Sequence, residues 1–351
     1  MVLPTTWLSA FLFLVLALIC LGSWANTFKA TGSRWRFELF SIDFAVGALL
    51  VALIAAYTFG TLGADLGFSD RMLVAGRTSQ ALGLVAGALF ALGNMLLLAA
   101  VSLLGMSAAF PLCIGSAVVV AVLFALFQFG SAQGLWLIGG LALLVCAVVL
   151  DIFAIRRHKK SIRAASARTG AKGPNKKTSM STRGIVVGII SGVVLGCFSP
   201  LLQRSFRGDF GLGPYAGLLL VTIALLVSTL VLNLYFMNIA ISGEPIGFNA
   251  YFTGLPHQHF LGFAGGAIWA LGMLAEGLAI SAPASIDLDP RLVTILPLAS
   301  VLLAVFWGFV KWKEYPGSAK ALLVVSAVVF LGGVVLVGWA LTTPVTALPS
   351  S

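Results

Sequence analysis

The stretch "GLVAGALFALGNMLLLAAVS" at residues 83–102 returns 179 positions later as "GFAGGAIWALGMLAEGLAIS" at residues 262–281, with eight of the twenty positions identical. Each copy is apolar or small almost throughout. At about 1.5 Å per residue, each is long enough to cross a hydrocarbon core of about 30 Å as a helix. The second copy carries one ionisable side chain, Glu276, where the first has Leu97. The pair predicts two related membrane-spanning helices that differ at one charged position.

The composition of the whole chain extends this prediction. Of its 351 residues, 60% are hydrophobic and 9% are charged, and the mean hydropathy is +1.07. Soluble proteins carry about 25% charged residues, so a soluble enzyme or nucleic-acid-binding protein is not expected despite the net charge of +10. The four cysteines lie in apolar runs without metal-ligand spacing, which is typical of packing residues. We therefore expect no metal and no bound cofactor.

Apolar runs of membrane-spanning length occur ten times along the chain. The predicted spans are 7–27, 39–60, 80–103, 106–129, 133–155, 184–204, 214–240, 260–281, 291–311 and 318–341. The short connections "GMS" (105–107) and "SAQG" (131–134) predict helical hairpins.

The basic residues between these spans predict the orientation. Five of the 21 lysines and arginines fall on the side of the termini, and sixteen fall on the side of the central loop. By the positive-inside rule, the central loop faces the cytoplasm and both termini lie outside. The expected location is the plasma membrane, with the bacterial inner membrane favoured.

The repeat divides the chain into two five-span halves, 1–155 and 184–351, joined by a basic linker at 156–183. Weaker matches pair "LGSWAN" (21–26) with "LGCFSP" (195–200), and Pro111 with Pro297. Because five is odd, the halves enter the membrane from opposite sides, which makes an inverted repeat typical of alternating-access carriers. The linker stretch "GAKGPNKKT" (170–178) lacks the second glycine and the hydroxyl of a phosphate-binding loop, so no nucleotide site is expected.

Several segments resemble one group of transporters. "GSWANTFKATGSRWRFELFSIDFAVGALLVALIAAYTFG" (22–60) is similar to the opening of plant ureide permeases, and "GALFALGNMLLLAAVSLLGMS" (87–107) resembles both those permeases and the bacterial L-rhamnose–proton symporter. "GCFSP" (196–200), "GGAIWAL" (265–271) and "FWGFVKWKEY" (306–315) also look like this group.

The resemblance implies the drug/metabolite transporter superfamily, with an all-α fold of ten transmembrane helices in a five-plus-five inverted repeat. It also implies proton-coupled import of small, mostly neutral polar metabolites such as sugars, ureides or nucleobases. The short central loop departs from the plant permeases, whose longer central domain carries a nucleotide-loop-like motif.

Two acids are candidates for the coupling site. An ionisable residue at the centre of a membrane helix costs at least about 2.5 kcal/mol, so its presence suggests a function. Glu276 stands fifteen residues into the predicted eighth span, and Glu276→Gln is expected to abolish proton-driven accumulation while leaving exchange. Asp43 matches an aspartate of the ureide permeases. The alternatives are a structural hydrogen bond for Glu276 and a dipole-stabilised first-turn acid for Asp43.

Polar and aromatic residues within the spans are candidates for solute binding, because amides hydrogen-bond polar solutes and aromatic rings stack on their faces. Each also has a structural alternative as an inter-helix contact or an interfacial anchor. The candidates are Asn94, Trp269, Trp24, Asn26, Asn233, Tyr235 and Asn238. "HQH" (257–259) lacks a third metal ligand nearby and is interpreted as interfacial histidines.

The sequence thus predicts a secondary transporter for proton-coupled uptake of a small neutral polar metabolite. The alternative is an exporter of drugs or metabolites from the same superfamily. An enzyme is not expected, since no catalytic spacing of His, Asp, Cys or Ser is found, whereas a sensor or structural role stays open. The expected partners are the solute, the lipid bilayer and, as an open option, a second copy of the chain. Sodium remains an alternative to the proton as the coupling ion, and the solute is not specified.

Overall fold

The computed structural model describes residues 1–63, 65–129, 134–168, 175–206, 208, 210–241 and 244–342, with the side chains of 128–129, 165–168 and 175–181 left aside. Within these residues the chain is helical and has no strand. Ten helices are long and apolar enough to cross a membrane. We number them α1 (Trp7–Ser23, continuing as Ala25–Ala30), α2 (Phe37–Tyr57), α3 (Arg77–Leu104), α4 (Met106–Phe129), α5 (Gly134–Arg168), α6 (Asn175–Ser205), α7 (Pro214–Phe236), α8 (Pro256–Ile280), α9 (Pro290–Val310) and α10 (Ser318–Thr342).

The prediction of an all-α membrane protein with ten spans is confirmed. Most observed helix ends lie within a few residues of the predicted ones. The main difference concerns α5 and α6, which continue into the predicted linker so that its described parts, 156–168 and 175–183, are helical. Part of the hairpin "SAQG", residues 169–174 of the linker and the last nine residues of the second half lie outside the described residues.

Proline and glycine account for several helix boundaries. Pro214, Pro256 and Pro290 each begin a helix, where the missing amide hydrogen leaves no hydrogen bond unmade. Gly105 separates α3 from α4 with φ at +87°, a conformation that glycine adopts without steric strain. Trp24 marks the break within α1. These local signals place the connections where the apolar runs stop.

Contacts between connections define two faces of the bundle. The end of α1, the α3–α4 connection, the α7–α8 connection and the α9–α10 connection lie together, and we call this end the basic face. The opposite end, the terminal face, holds the N-terminus, whose amino group donates to the carbonyl of Asp65 at 2.8 Å. It also holds the hydrogen bond from the Tyr215 hydroxyl to the carbonyl of Val2 at 2.9 Å.

The helices pack closely through small residues. α3 lies against α6 and α7, α8 lies against α1 and α2, and α5 packs along α10. Gly87 of α3 and Gly266 of α8 sit where an added methyl group would collide with the carbonyls of Val221 and Phe44. Small residues allow such close approach of helix backbones within a bilayer. These glycines therefore hold α3 close to α7 and α8 close to α2.

Candidate functional site

The first cluster of the site surrounds Asp43 near the basic face. Asp43 is the seventh residue of α2 and is fully buried. The Tyr251 hydroxyl donates to its Oδ1 at 2.5 Å, and His259 Nδ1 lies 3.1 and 3.0 Å from its two carboxylate oxygens. Gly262, one turn further along α8, leaves the space in which the carboxylate lies. Asp43 therefore lies deeper than a first-turn acid and is linked to the α7–α8 region.

The partners of Asp43 are held by aromatic packing. Tyr251 belongs to the short helix Asn249–Phe252, and His259 lies in the first turn of α8. The His259 ring contacts the rings of Trp35 and Tyr251 edge-on, at centroid distances of 4.8 and 4.7 Å. Burial, and then the hydrogen bond and charge of Asp43, raise the pKa of Tyr251 above its ordinary value, so this hydroxyl remains a donor. The cluster thus offers Asp43 one permanent donor and one titratable partner.

His259 and Tyr251 were not predicted as site residues. The sequence places "HQH" at the start of a span, which is typical of interfacial histidines, and nothing local indicates that α2 lies opposite. Only the packing of α8 on α2 brings His259 and Asp43 together. Among the described residues, no three His, Cys, Asp or Glu side chains gather in a group that could hold a metal ion.

A second cluster on the basic face surrounds Glu314 in the α9–α10 connection. Its carboxylate accepts hydrogen bonds from the backbone amides of Met106 (3.0 Å) and Ser107 (2.8 Å) and from the Ser107 hydroxyl (2.7 Å). It also pairs with Lys29 at the end of α1. A carboxylate at the first turn of α4 is stabilised by free amides and by the helix dipole. Glu314 therefore joins α1 and α4 to the α9–α10 connection.

A cavity of about 370 Å³ lies between the α1–α2 connection and the end of α3. This volume is within the range of small-molecule sites. Both cations in its wall are already paired, Lys29 with Glu314 and Arg36 with Glu38. The wall is formed by Phe28, Lys29, Gly32, Ser33, Trp35, Arg36, Phe37, Val101, Ser102 and Gly105.

Two predicted solute-binding residues, Asn94 and Asn233, are buried amides with unused hydrogen-bonding capacity. Asn94 of α3 is 2% exposed, and its Oδ1 has no partner. Asn233 of α7 is 1% exposed, and neither its Nδ2 nor its Oδ1 has a partner. Asn94 precedes the cavity residue Val101 by seven positions, two turns or about 10 Å along α3. Unpaired buried polar atoms are costly, so each of these two positions favours a polar ligand.

The predicted aromatic residues Trp269 and Trp24 belong to one buried cluster at the centre of the bundle. Trp269 of α8 stacks on Phe90 of α3, with ring centroids 4.2 Å apart and planes at 19°. Phe44 of α2 lies between the two tryptophans, 5.7 Å from Trp269 and 5.0 Å from Trp24. Phe90 is one turn before Asn94 on α3, so the cluster borders the buried amide.

The remaining predicted solute residues lie apart from this region. Asn26 is held by its own contacts, since Oδ1 accepts from Trp312 Nε1 at 2.8 Å and Nδ2 donates to the carbonyl of Ser23 at 3.0 Å. Tyr235 is 56% exposed on α7. Asn238 is exposed after the end of α7 and donates to the carbonyl of Leu234. The structure thus brings Asn94, Trp269 and Trp24 together around one centre and leaves these three outside it.

Glu276 lies near the other end of α8. It is four residues before the last residue, Ile280, and about 6 Å along the axis from that helix end. It is half-buried, and among the described residues it has no hydrogen bond or ion pair. Gly272, one turn earlier, packs on α1, and Gly277 lies beside Pro214 at the start of α7. Glu276 therefore lies close to the terminal face, whereas its depth counted from the start of the predicted span suggested a deeper position.

Comparison with known proteins identifies a solved structure of similar fold. A solved structure described only as "Crystal structure of protein" matches with a TM-score of 0.50 at 18% identity, over 94% of this chain and 97% of that one. No protein-family model matches the sequence, and no curated protein matches it. The likeness shows that the chain shares its overall fold with that structure.

Proposed function

We propose that this ten-helix, transporter-like membrane protein is a proton-coupled carrier of the drug/metabolite transporter superfamily. It takes up a small neutral polar metabolite, such as a sugar, ureide or nucleobase, by alternating access of two five-helix halves. The observation that carries the proposal is the buried amide of Asn94, whose Oδ1 has no partner, beside a central aromatic cluster. Asn233, three residues before the end of α7, is a second buried amide and has no partner.

Equivalent helix contacts in the two halves support the inverted repeat. If each helix of the first half is replaced by the helix five places later, the contacts of the bundle map onto one another. The contact of α3 with α6 corresponds to that of α8 with α1, and the contact of α2 with α8 corresponds to that of α7 with α3. Likewise, α4 packs on α5 and α6 as α9 packs on α10 and α1. An inverted repeat of this kind lets the two halves rock about a central site.

The glycines shared by α3 and α8 support the same correspondence residue by residue. Gly83 packs against Leu220 of α7, and Gly262 packs against Asp43 of α2.

One turn further along, Gly87 packs against Val221 and Gly266 against Phe44. In both cases the α2 and α7 partners are 177 positions apart.

A third glycine pair extends the correspondence to α1 and α6. Gly93 packs against Leu195, and Gly272 packs against Leu21. These partners are 174 positions apart, the spacing at which "LGSWAN" aligns with "LGCFSP". The equivalent glycines of α3 and α8 therefore contact residues that are themselves equivalent in the predicted repeat.

The chemistry of the interior favours a neutral solute. The amides of Asn94 and Asn233 provide donors and acceptors without charge, while the aromatic rings of Trp24 and Trp269 suit sugar and heterocycle faces. The cations at the cavity wall already hold carboxylates, so neither Lys29 nor Arg36 is free for an anionic solute.

The two predicted coupling acids lie at opposite ends of α8, Asp43 as a residue of α2 packed against it and Glu276 as a residue of α8 itself. Asp43 meets Gly262 and His259 near the basic face, whereas Glu276 stands fourteen residues beyond Gly262, about 21 Å along the axis. In the proposed cycle, Glu276 takes up a proton from the terminal face, taken as outside by the positive-inside rule. Asp43, held by His259 and Tyr251, releases a proton toward the basic face. Rocking of the halves exposes the two acids in turn.

The experiment is uptake by purified protein in proteoliposomes, with a panel of radiolabelled sugars, ureides and nucleobases and an imposed inward proton gradient. Leaving a buried polar ligand group unpaired costs about 1–3 kcal/mol, so Asn94→Leu should lower uptake of the transported solute by about tenfold. Asn238→Leu, at an exposed amide of the same type, is the control and should leave uptake unchanged. Uptake that is equal in Asn94→Leu and wild type would overturn the proposed site.

Export of lipophilic or cationic compounds is the second candidate function. The observation in its favour is the central cluster of Trp24, Phe44, Phe90 and Trp269, because aromatic walls also bind lipophilic cations. Expression in a drug-sensitive host distinguishes the two: raised tolerance together with an inactive solute panel would favour export.

A further inference from the structure

A third buried acid, Asp151 of α5, lies outside the site described above. It is 0% exposed, and neither carboxylate oxygen has a hydrogen-bond partner. α5 packs along α10 and also contacts α4 and α6, so Asp151 is enclosed by several helices. The four ion pairs found among the described residues do not include it. Asp151, like Glu276, is an acid within a predicted span, but it was not among the predicted site residues.

The hydroxyl group beside Asp151 already has its hydrogen in another bond. Ser326 of α10 lies next to the carboxyl group. Its hydroxyl donates to the carbonyl of Ala147, one turn before Asp151, at 3.0 Å. Because the single hydroxyl hydrogen of Ser326 is used in this bond, its oxygen faces Asp151 as an acceptor. A carboxylate offers no hydrogen to that oxygen, whereas a protonated carboxyl group does.

Among the described residues, no cation pairs with Asp151, and its titratable neighbours are Cys113 and Tyr315. Cys113 of α4 is buried, and the Tyr315 hydroxyl donates to the carbonyl of Leu104 at 2.7 Å. Burial, and then the carboxylate of Glu314, raise the pKa of Tyr315 above its ordinary value. On the same helix, His158 lies two turns on, with its ring 4.4 Å from that of Tyr315. Removing an unpaired carboxylate from water costs several kcal/mol, so a neutral Asp151 is strongly favoured here.

We propose that Asp151 is a second, membrane-embedded proton-binding site in the seam between α5 and α10. It carries its proton while the seam is closed, and Ser326 Oγ is the acceptor next to that proton. Release requires the seam to open to water or to a cation. Tyr315 and His158 lead from Asp151 toward Glu314 and the basic face, so the proton exchanges on that side.

The site is tested by infrared spectroscopy of the purified full-length protein at neutral pH. The difference spectrum of wild type minus Asp151→Asn should show the carbonyl band of a protonated carboxyl group. This band should shift to lower frequency in D₂O. Ser326→Ala removes the acceptor and should shift this band to higher frequency, a change that a purely structural role of Ser326 would not produce. Asn has the shape of a neutral carboxyl group, so Asp151→Asn should fold normally.

Absence of the band from the difference spectrum, or a band that Ser326→Ala leaves in place, would overturn the proposal. If Asp151→Asn fails to fold, the comparison of Ser326→Ala with wild type decides the question alone. These measurements need no substrate, so their outcome is independent of the proposed function.

A role of Asp151 in coupling rests on the proposed function and is measured in a separate transport experiment. Asp151→Asn should lower the number of protons moved per solute in proteoliposomes while exchange of labelled for unlabelled solute continues. An unchanged proton-to-solute ratio together with a positive infrared result would leave Asp151 as a proton site outside the transport cycle. A chain that transports nothing in response to a proton gradient would instead count against the proposed function.

Discussion

The two ends of α8 hold acids of the same predicted role in opposite environments. Near the basic face, Asp43 of α2 is fully buried against α8 and is bonded to Tyr251 and His259. Near the terminal face, Glu276 is half-buried and has no partner among the described residues. An acid with two partners can hold helices together when ionised and release them when protonated. An acid without partners can take up a proton but has no contact to break.

The difference indicates which acid is tied to conformation. Protonation of Asp43 weakens contacts between α2 and the α7–α8 region, because the carboxylate accepts from Tyr251 and lies 3.0 Å from His259 Nδ1. Glu276 lies between Gly272, which packs on α1, and Gly277, which lies beside the start of α7. Its own carboxylate is bonded to neither helix. We therefore expect the basic-face end of α8 to control rocking, and the terminal-face end to control proton entry.

The largest effect should follow from Asp43→Asn. Asn cannot take up and release a proton, so accumulation driven by a proton gradient should be lost entirely, while exchange of labelled for unlabelled solute continues. Uptake and counterflow in the same proteoliposomes measure both activities. Accumulation that survives in Asp43→Asn would place coupling elsewhere.

Tyr251→Phe is the matched milder variant, because it keeps the carboxylate and removes one donor to its ionised form. Loss of this hydrogen bond should weaken the link between α2 and the α7–α8 region, so gradient-driven uptake should fall by about tenfold while accumulation persists. Uptake as low as in Asp43→Asn, or unchanged uptake, would argue against this role of the hydrogen bond in the working transporter.

Glu276→Gln should have a smaller effect. The sequence alone predicted complete loss of accumulation, because Glu276 was placed deep in the span. Its position near the helix end indicates a slower proton entry instead, with the rate of gradient-driven uptake lowered by less than about tenfold. Initial uptake rates at several pH values on the terminal-face side measure this. Complete loss of coupling in Glu276→Gln would instead support the effect expected from the sequence alone.

The smallest effect on transport chemistry should come from glycines at the two ends of α8, which test packing. An added methyl group at Gly266 meets the Phe44 backbone, so Gly266→Ala should lower the free energy of unfolding by about 1–3 kcal/mol. At Gly277 the nearest atom is the Cβ of Pro214 at 3.3 Å, and Gly277→Ala should cost less. Thermal unfolding in detergent ranks the two variants. Equal stability would show that the close approach of α8 and α2 is relaxed in solution.

Sequence patterns predicted much of the fold and part of the candidate site. Long apolar runs identify the ten spans because a bilayer imposes a minimum length on every crossing helix. Asp43, Asn94, Trp269 and Trp24 were recognised because a polar or aromatic residue stands out in an apolar run.

The same signal was used incompletely for two other acids. Asp151 lies within a predicted span but was not singled out as a candidate. The depth of Glu276 was counted from the start of its predicted span, although the predicted end at 281 lies only five residues beyond it, close to the observed end of α8 at Ile280.

By itself, the sequence determined that the chain is a helical membrane protein with ten spans, because length and hydropathy are local properties of each segment. Only the tertiary structure decided which polar side chains are paired. Asp43 meets His259 across 216 positions of chain, and Glu314 meets Ser107 across 207. It also decided which groups are left without a partner, namely Asn94, Asn233 and Asp151. Pairing depends on which helices pack together, and in a bilayer that is set by the fit of small residues between helices, which no single segment encodes.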